Sequence, residues 1–269
     1  MLEVVYSGNK KVLEGFKLAC LSLARVTKVP FRVTLLTADL QEYIGSKGEG
    51  VLDSDIEDVR ARLKTYNEEN DVRVLDCKEI FIENFNGTPN MNPSYTPYSL
   101  FRLFMDKLFD CDKVLYLDID TMAVNSIEKF FEIDMEGKEL AVVKDYMGRF
   151  WIKYNYFNSG VLLMNLKECR KTQLLERSIE YLKTHRRLLA DQDAMNKLCK
   201  HRVYLSFDYN EQRSVKKNTV IKHFCKGIKY FPFFYIYNIK QWDRENVHKK
   251  LKMHNFDDIY EEYDKYMNK

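Results

Sequence analysis

Short apolar runs alternate with longer amphipathic stretches along most of the chain. The apolar runs lie near residues 2–6, 31–37, 72–77, 113–117, 140–145, 161–166, 203–205 and 220–224, and the helix-like stretches cover 12–26, 53–67, 96–109, 172–185 and 191–199. Because parallel neighbouring strands need long crossovers, this alternation predicts βαβ units. The predicted fold class is α/β, with a Rossmann-like, mostly parallel mixed sheet flanked by helices.

The pattern changes after Tyr230. Six aromatic residues crowd the segment 231–242, and the tail to Lys269 is charged and helix-like. We expect one domain over residues 1–230 and a small C-terminal helical appendage over residues 231–269. Aromatic residues at this density favour a packed core or a lid, and a membrane-facing surface is the alternative.

Composition excludes several classes of protein. A net charge of +3, from 43 basic and 40 acidic side chains, is too balanced for a nucleic-acid-binding protein, so no nucleic-acid partner is expected. The six cysteines form no CxxC pair, which favours free thiols over disulfides or zinc. The sequence shows neither a signal peptide nor an apolar run of the roughly 20 residues that span a membrane. We expect a cytoplasmic protein; weak peripheral association with the inner face of the membrane and the oligomeric state stay open.

Two carboxylates follow the apolar run 114–117. In an extended strand Asp118 and Asp120 project to the same side, and Ile119 turns the other way. Ligands of open α/β sheets bind outside the carboxyl ends of the strands, and carboxylate oxygens suit a hard divalent cation. The pair predicts a metal that holds a diphosphate, and capping of the strand is the alternative. A haloacid-dehalogenase-type phosphatase is disfavoured, because Met122 stands where that motif has Thr or Val.

Further positions suggest chemistry by their surroundings. His223 at a strand end can complete a carboxylate metal site, with a structural histidine as the alternative, and Lys229 can neutralise a phosphate. Arg102 lies in an otherwise apolar helix, where a buried guanidinium needs an anionic partner, and a structural salt bridge is the alternative. Asp191 is expected to cap a helix, and residues 158–160, Asn-Ser-Gly, predict a turn before a strand.

Together and in this order, these segments resemble glycosyltransferase family 8, the retaining sugar-nucleotide transferases that include glycogenin and bacterial lipopolysaccharide galactosyl- and glucosyltransferases. The resemblance runs from the N-terminal YSGN to about Tyr230, and its specific parts are YLDIDT, YFNSGVLLMNL, ADQDAMN and HFCKGIK. It implies a GT-A-type nucleotide-diphospho-sugar transferase fold, with residues 1–230 as the nucleotide-sugar-binding catalytic domain.

The resemblance also implies a role for each matching residue. Asp118, Asp120 and His223 match the ligands of a Mn²⁺, or alternatively Mg²⁺, that binds the donor diphosphate. The residues matched to the UDP-sugar donor are Tyr6, Asn9, Arg102, Asp118, Ile119, Asp120, Asp145, Asn158 and Lys229. Asp191 and Gln192 match the catalytic pair, a sugar-hydroxyl acceptor and an amide that faces the anomeric carbon. Gly8 stands where several members have a uracil-binding Asp, so base specificity stays open.

The implied activity is a metal-dependent, retaining transfer of glucose or galactose from a UDP-sugar to a hydroxyl of a glycan, glycolipid or glycoprotein acceptor, in bacterial-type surface glycan or lipopolysaccharide synthesis. A protein that binds a nucleotide sugar without transferring it is the alternative. Acceptor recognition is expected in the loops 84–96 and 147–156 and in the tail after Tyr230.

Overall fold

The computed structural model describes residues 1–91, 96–229 and 235–267, apart from the side chains of Lys229 and Tyr235. The strands are β1 (Leu2–Ser7), β2 (Phe31–Thr37), β3 (Asp71–Asp76), β4 (Lys113–Leu117), β5 (Thr121–Ala123), β6 (Leu140–Lys144), β7 (Phe157–Asn165), β8 (Arg202–Tyr204), β9 (Ile221–His223), β10 (Gly227–Lys229) and β11 (Tyr235–Tyr237). The helices are α1 (Leu13–Val26), α2 (Gln41–Ile44), α3 (Glu57–Tyr66), α4 (Lys78–Phe85), α5 (Met105–Leu108), α6 (Glu128–Phe131), α7 (Gly148–Trp151), α8 (Leu166–Thr172), α9 (Leu174–Thr184), α10 (Ala190–Leu198), α11 (Arg244–Lys249) and α12 (Asp257–Tyr266). Short 3₁₀ segments cover Lys10–Val12, Gly45–Gly48, Asp53–Ile56, Pro97–Phe104 and Phe207–Asn210.

Seven strands form the central sheet, in the order β3-β2-β1-β4-β7-β6-β8. The pairs β1–β2, β1–β4, β2–β3 and β6–β8 are parallel, whereas β7 is antiparallel to both β4 and β6. The mostly parallel mixed sheet that the alternating pattern predicts is therefore confirmed. Two small antiparallel pairs, β5–β9 and β10–β11, lie outside this sheet.

Alternate residues of β4 point to the two faces of the sheet. Leu115 and Leu117 belong to one buried apolar cluster, which includes residues of α1, α3 and α12. Val114 and Tyr116 belong to a second cluster, which includes residues of α4, α9 and α10. A strand buried on both faces reads as a continuous apolar run, as the sequence of β4 does. The packing fixes the carboxyl end of β4, where Asp118 follows directly.

The helix predicted over residues 96–109 consists of two pieces. A 3₁₀ segment from Pro97 to Phe104 continues into the short α5. Pro97 lies in the first turn, where its missing N–H removes no hydrogen bond. The tighter winding sets Arg102 over Ser99, whose carbonyl accepts a hydrogen bond from Arg102 Nε at 2.8 Å. This contact turns the guanidinium towards Asp118, at the carboxyl end of β4.

The turn predicted at residues 158–160 is wrong. Asn158, Ser159 and Gly160 lie inside β7 and are buried. Asn158 pairs with Val143 of β6, the carbonyl of Gly160 accepts from the backbone N–H of Asp118 at 2.7 Å, and the register between β6 and β7 shifts between Val142 and Val143. Such a bulge changes the direction of the side chains around it. The three polar or small residues are therefore part of a strand that contacts other polar side chains, and the chain does not change direction there.

The described part of the C-terminal segment packs against α1 and α3. Asp258 accepts a hydrogen bond from Arg25 Nη1 at 2.6 Å, and Glu262 accepts one from Arg62 Nε at 2.6 Å. Tyr260 donates through its hydroxyl to the carbonyl of Gln241 at 2.8 Å. Three of the aromatic residues behind the lid prediction, Phe231, Phe233 and Phe234, lie outside the described residues.

The cysteine and membrane expectations also have structural counterparts. All six cysteines are free thiols, as predicted. Within residues 1–91, 96–229 and 235–267, no helix combines the length and the apolar character that a membrane crossing requires.

Candidate active site

The predicted metal ligands converge beyond the carboxyl end of β4. The ligand atoms of Asp118, Asp120 and His223 lie within 4.8 Å of one another. His223 is brought there by β9, which pairs with β5 and sets His223 opposite Thr121. His223 Nε2 lies 3.1 Å from Asp120 Oδ1 and 4.0 Å from Asp118 Oδ2. Ile119 turns away into the core, as the two-residue period predicts.

A chain of amides orients the imidazole. His223 Nδ1 lies 3.1 Å from Asn210 Oδ1, and Asn210 Nδ2 donates to Asn158 Oδ1 at 3.0 Å. Because the amide nitrogen of Asn210 is used for Asn158, its oxygen faces His223 and accepts the Nδ1 proton. Nε2 therefore points at the Asp120 carboxylate, so both groups are oriented to bind one cation. Asn210 was missed in the sequence because no motif surrounds it.

Gly160 leaves the space in which these ligands meet. A Cβ atom on Gly160 would lie 2.3 Å from His223 Cε1 and 2.6 Å from Asp118 Oδ2, well inside van der Waals contact. Two carboxylates and one imidazole make a donor set that suits a hard or borderline divalent cation such as Mn²⁺ or Mg²⁺. The residues present therefore fit the metal that the resemblance implies.

A lysine that sequence analysis missed also contacts Asp120. The ammonium of Lys240 forms an ion pair with Asp120 Oδ2 and donates to the carbonyl of Phe224 at 3.0 Å. Burial alone would raise the pKa of Asp120, but Lys240 and His223 outweigh it and hold the pKa well below its usual range. Lys240 lies in the tail that was assigned to the appendage, and the sequence offers only a lysine near aromatic residues as a signal.

Arg102 joins two parts of the site. Its Nη2 donates to Asp118 Oδ1 at 2.8 Å, its Nε lies 3.3 Å from Asp191 Oδ2, and the guanidinium stacks 4.2 Å from the ring centroid of Tyr116. Burial by itself lowers the pKa of Arg102, and the two carboxylates outweigh burial and raise it. The anionic partner expected for a buried guanidinium is thus a pair of carboxylates.

Ser159 holds the side chains of Asp191 and Gln192. Its hydroxyl donates to Asp191 Oδ2 at 2.9 Å, and its backbone N–H donates to Gln192 Oε1 at 2.8 Å. The capping role predicted for Asp191 is wrong, because α10 begins at Ala190 and Leu189 N–H bonds to Asp193 Oδ2 instead, at 3.3 Å. Burial raises the pKa of Asp191, although Arg102 opposes the shift.

The carboxylate of Asp145 is held by three hydrogen bonds. Oδ1 accepts from the backbone N–H groups of Met147 and Gly148, at 3.0 and 2.6 Å, and Oδ2 accepts from Asn158 Nδ2 at 2.9 Å. Asn158 thus connects Asp145 to the amide of Asn210. One polar network runs from the loop after β6 to the imidazole of His223.

Most predicted site residues meet in one cleft of about 1230 Å³. Those that line it are Asn9, Arg102, Asp118, Ile119, Asp120, Asp145, Asn158, Asp191, Gln192 and His223. The side chain of Tyr6 is instead buried in the core, where its ring packs edge-on against Phe16 at 5.6 Å between centroids. The backbone of Lys229 lies in β10, and its side chain is outside the described residues.

Comparison with known proteins identifies the family. The model of glycosyl transferase family 8 matches residues 4–244. The chain belongs to glycosyltransferase family 8. This family 8 chain is 34% identical over 120 residues to glycosyltransferase GlyA of Streptococcus pneumoniae serotype 4, which covers 44% of the chain and 17% of GlyA. It is 30% identical over 131 residues to the lipopolysaccharide 1,2-glucosyltransferase of Escherichia coli K12, covering 43% of the chain and 39% of that enzyme.

The family 8 chain spans less than two thirds of these curated relatives. A Haemophilus influenzae relative, 25% identical over 185 residues, is matched over 56% of its own length and 58% of this chain. Among solved structures, an active-site mutant of LgtC superimposes with a TM-score of 0.71 at 18% identity, covering 99% of this chain and 96% of LgtC. LgtC in complex with donor and acceptor sugar analogues gives a TM-score of 0.68 at 19% identity. The GT-A fold predicted from the motifs is confirmed.

Proposed function

We propose that this family 8 member is a metal-dependent, retaining glycosyltransferase that moves glucose or galactose from a UDP-sugar to an acceptor hydroxyl. The observation that supports it best is the convergence of Asp118, Asp120 and His223 in one cleft with Asp191 and Gln192. A metal-ligand set beside a sugar-binding carboxylate and amide suits a donor whose diphosphate leaves from an anomeric carbon.

In this proposal Asp118, Asp120 and His223 hold a Mn²⁺ or Mg²⁺ ion, which when bound supplies counter-charge to the diphosphate and to the leaving UDP. Arg102 holds Asp118 in place and leaves its Oδ2 facing His223. Asn9, Ile119, Asp145, Asn158 and Lys229 are the further donor-binding residues, and Tyr6 is kept as a prediction on the resemblance alone.

Retention of configuration is best explained by front-face attack. Gln192 is a neutral amide and a poor nucleophile, and its oxygen already accepts from Ser159 N–H. The three hydrogen bonds to Asp145 likewise reduce its nucleophilicity. The acceptor oxygen therefore bonds to the anomeric carbon on the face from which the phosphate oxygen departs, and that phosphate oxygen takes the acceptor proton. Asp191 and Arg102 would fix the sugar for this step.

The acceptor is a glycan, glycolipid or glycoprotein, and its non-reacting part binds at the rim formed by the segment 147–156, which includes α7. Trp151 and Ile152 of this segment are 74% and 57% exposed, and Leu188, which precedes α10, is 69% exposed. All three residues line the cleft. Large apolar side chains at the mouth of a cleft are typical of ligand recognition. We place the reaction in surface glycan or lipopolysaccharide synthesis, in the cytoplasm or at the inner face of the membrane.

Calorimetric titration tests the donor site. UDP, UDP-glucose, UDP-galactose and GDP-mannose are titrated with and without Mn²⁺ into the wild type, Asp120→Asn and the control Asp134→Asn, which changes an exposed carboxylate that does not line the cleft. In calorimetry we expect metal-dependent binding of UDP compounds by the wild type and the control. In an assay of sugar transfer we expect the turnover of Asp120→Asn to be lower than that of the wild type by at least about 100-fold. No metal-dependent nucleotide binding by the wild type, or near-native transfer by Asp120→Asn, would overturn the proposal. Donor binding without transfer to any acceptor would favour a nucleotide-sugar-binding protein.

A further inference from the structure

A second group of metal-ligating side chains lies between α11 and α12. It consists of His248 in the last turn of α11, His254 in the connecting loop and Asp257 at the start of α12. One ligand atom of each residue lies within 4.8 Å of those of the other two, and none of the three residues lines the cleft. The group is therefore separate from the proposed catalytic metal site.

Asp257 accepts a hydrogen bond from each imidazole. Its Oδ1 lies 2.7 Å from His248 Nε2, and its Oδ2 lies 3.0 Å from His254 Nδ1. The two rings stack with 4.6 Å between their centroids and 17° between their planes. Burial by itself would raise the pKa of Asp257, but the hydrogen bonds from His254 and His248 outweigh burial and lower the pKa. The carboxylate is therefore charged at neutral pH, and one nitrogen of each ring lies beside it.

Buried apolar residues fix the backbone at all three positions. Val247, Met253 and Phe256 each directly precede one of the ligands, and they belong to the same buried cluster as Leu115 and Leu117. The N–H of Met253 donates to the carbonyl of Val247 at 3.3 Å, which brings the loop back to the end of α11. Ligands that come from a fixed backbone lose little conformational entropy when they bind a cation.

The donor set suits a borderline transition metal. Two imidazoles favour Zn²⁺ over Mg²⁺ and Mn²⁺, which prefer oxygen ligands. Tetrahedral Zn²⁺ bonds to imidazole nitrogen and carboxylate oxygen at about 2.1 Å, which places neighbouring ligand atoms about 3.4 Å apart. The contacts of 2.7 and 3.0 Å need to widen by less than about 1 Å to reach that spacing.

The exposure of His254 allows the remaining adjustment. Its side chain is 65% exposed, so the ring can tilt and direct the Nδ1 lone pair at a cation that His248 and Asp257 hold. Each neutral imidazole then carries its proton on the other ring nitrogen, and water completes the fourth coordination position.

We propose that His248, His254 and Asp257 form a structural Zn²⁺ site that joins α11 to α12. The inference does not depend on the proposed function. The ring of His248 lies edge-on against that of Tyr260 in α12, with 6.0 Å between centroids, and the Tyr260 hydroxyl donates to the carbonyl of Gln241. A cation at the site stabilises this folded C-terminal segment, because the unfolded chain does not hold the three ligands together.

The test measures Zn²⁺ binding by calorimetry and the melting temperature by circular dichroism. Every protein carries Asp120→Asn, which weakens cation binding at the proposed catalytic site. His254→Asn in this background removes one ligand, and the matched control His201→Asn removes an exposed imidazole that is not part of the group.

We expect the background protein to bind one Zn²⁺, with a dissociation constant at least about tenfold higher in His254→Asn and within about twofold in the control. A Zn²⁺ concentration about 100 times the dissociation constant should raise the melting temperature of the background protein and the control by about 5 °C or more. The same concentration should leave that of His254→Asn nearly unchanged.

Three results would overturn the inference: no Zn²⁺ binding by the background protein, equal affinity in folded His254→Asn, or Zn²⁺ binding that leaves the melting temperature unchanged. If His254→Asn is unfolded, Asp257→Asn takes its place, because it removes the charge of the carboxylate and keeps the size of the side chain.

Discussion

Substitution of Gly160 by Ala perturbs the proposed metal site without changing any ligand. The backbone of Gly160 is not in the left-handed region, so alanine acts there only by the space that its methyl group occupies. That methyl carbon would lie 2.3 Å from His223 Cε1, whereas ordinary contact begins at 3.4 Å. The imidazole must therefore withdraw by about 1 Å, several times the roughly 0.2 Å within which metal–ligand distances are held.

The expected loss follows from that displacement. Disturbing the orientation of one ligand typically lowers metal affinity about 10–100-fold, and overpacking a buried site costs about 1–3 kcal/mol of stability. We expect the Mn²⁺ dissociation constant of Gly160→Ala, measured by electron paramagnetic resonance, to rise by at least about tenfold, with turnover falling in parallel.

A second glycine supplies the control. Gly137 has a φ of +60° and open space around its would-be Cβ, so Gly137→Ala strains the backbone by about 1 kcal/mol without touching the site. This control should lose thermal stability and keep its affinity for Mn²⁺. If folded Gly160→Ala binds Mn²⁺ within about twofold of the wild type, the role assigned to the packing of His223 against Gly160 is refuted.

Three further predictions address separate parts of the molecule. Gln192→Ala should lower turnover while UDP-sugar affinity in calorimetry stays close to wild type, and equal loss of affinity would make Gln192 a donor ligand. Trp151→Ala should raise the KM for the acceptor with donor affinity unchanged, and a selective rise in donor KM would contradict the assignment of that rim. Lys222 is buried and donates to the carbonyls of Glu211 and His223, and burial lowers its pKa from 10.5 to about 8. Between these two pH values the unfolded chain binds more protons than the folded chain, so folding becomes more favourable as pH rises. From pH 7 to above pH 10, the unfolding free energy of the wild type should rise by about 3 kcal/mol relative to that of Lys222→Met. Urea denaturation at each pH measures both free energies, and an equal pH dependence in the two proteins would exclude this prediction.

The sequence predicted best those segments in which one side-chain periodicity determines which residues face the core and which face the site. The apolar run of β4 and the alternation of Asp118, Ile119 and Asp120 predict both the buried strand and the carboxylates that face His223, because strand geometry leaves little choice. The family motifs then identified the fold, which the full-length similarity to LgtC confirms.

Misses arise where tertiary contacts override local preference. Asn158-Ser159-Gly160 has the composition of a turn, yet the pairing of Asn158 with β6 and the hydrogen bond from Asp118 N–H to the Gly160 carbonyl keep it within β7. Asp191 has the composition of a helix cap, yet Arg102 and Ser159 draw its carboxylate into the site. Asn210 and Lys240 reach the site from segments without a motif, so only the folded chain brings them to His223 and Asp120.

Three consecutive residues of β7 contact different side chains of the site. Asn158 bonds to Asp145, Ser159 bonds to Asp191 and to Gln192, and Gly160 packs against His223. Because the three residues are consecutive in one strand, a displacement of this part of β7 would move all of these partners together. The same linkage limits evolution: a change that reshapes one of these subsites disturbs its neighbours, and new acceptor preferences are more easily gained in peripheral loops such as 147–156 than along β7.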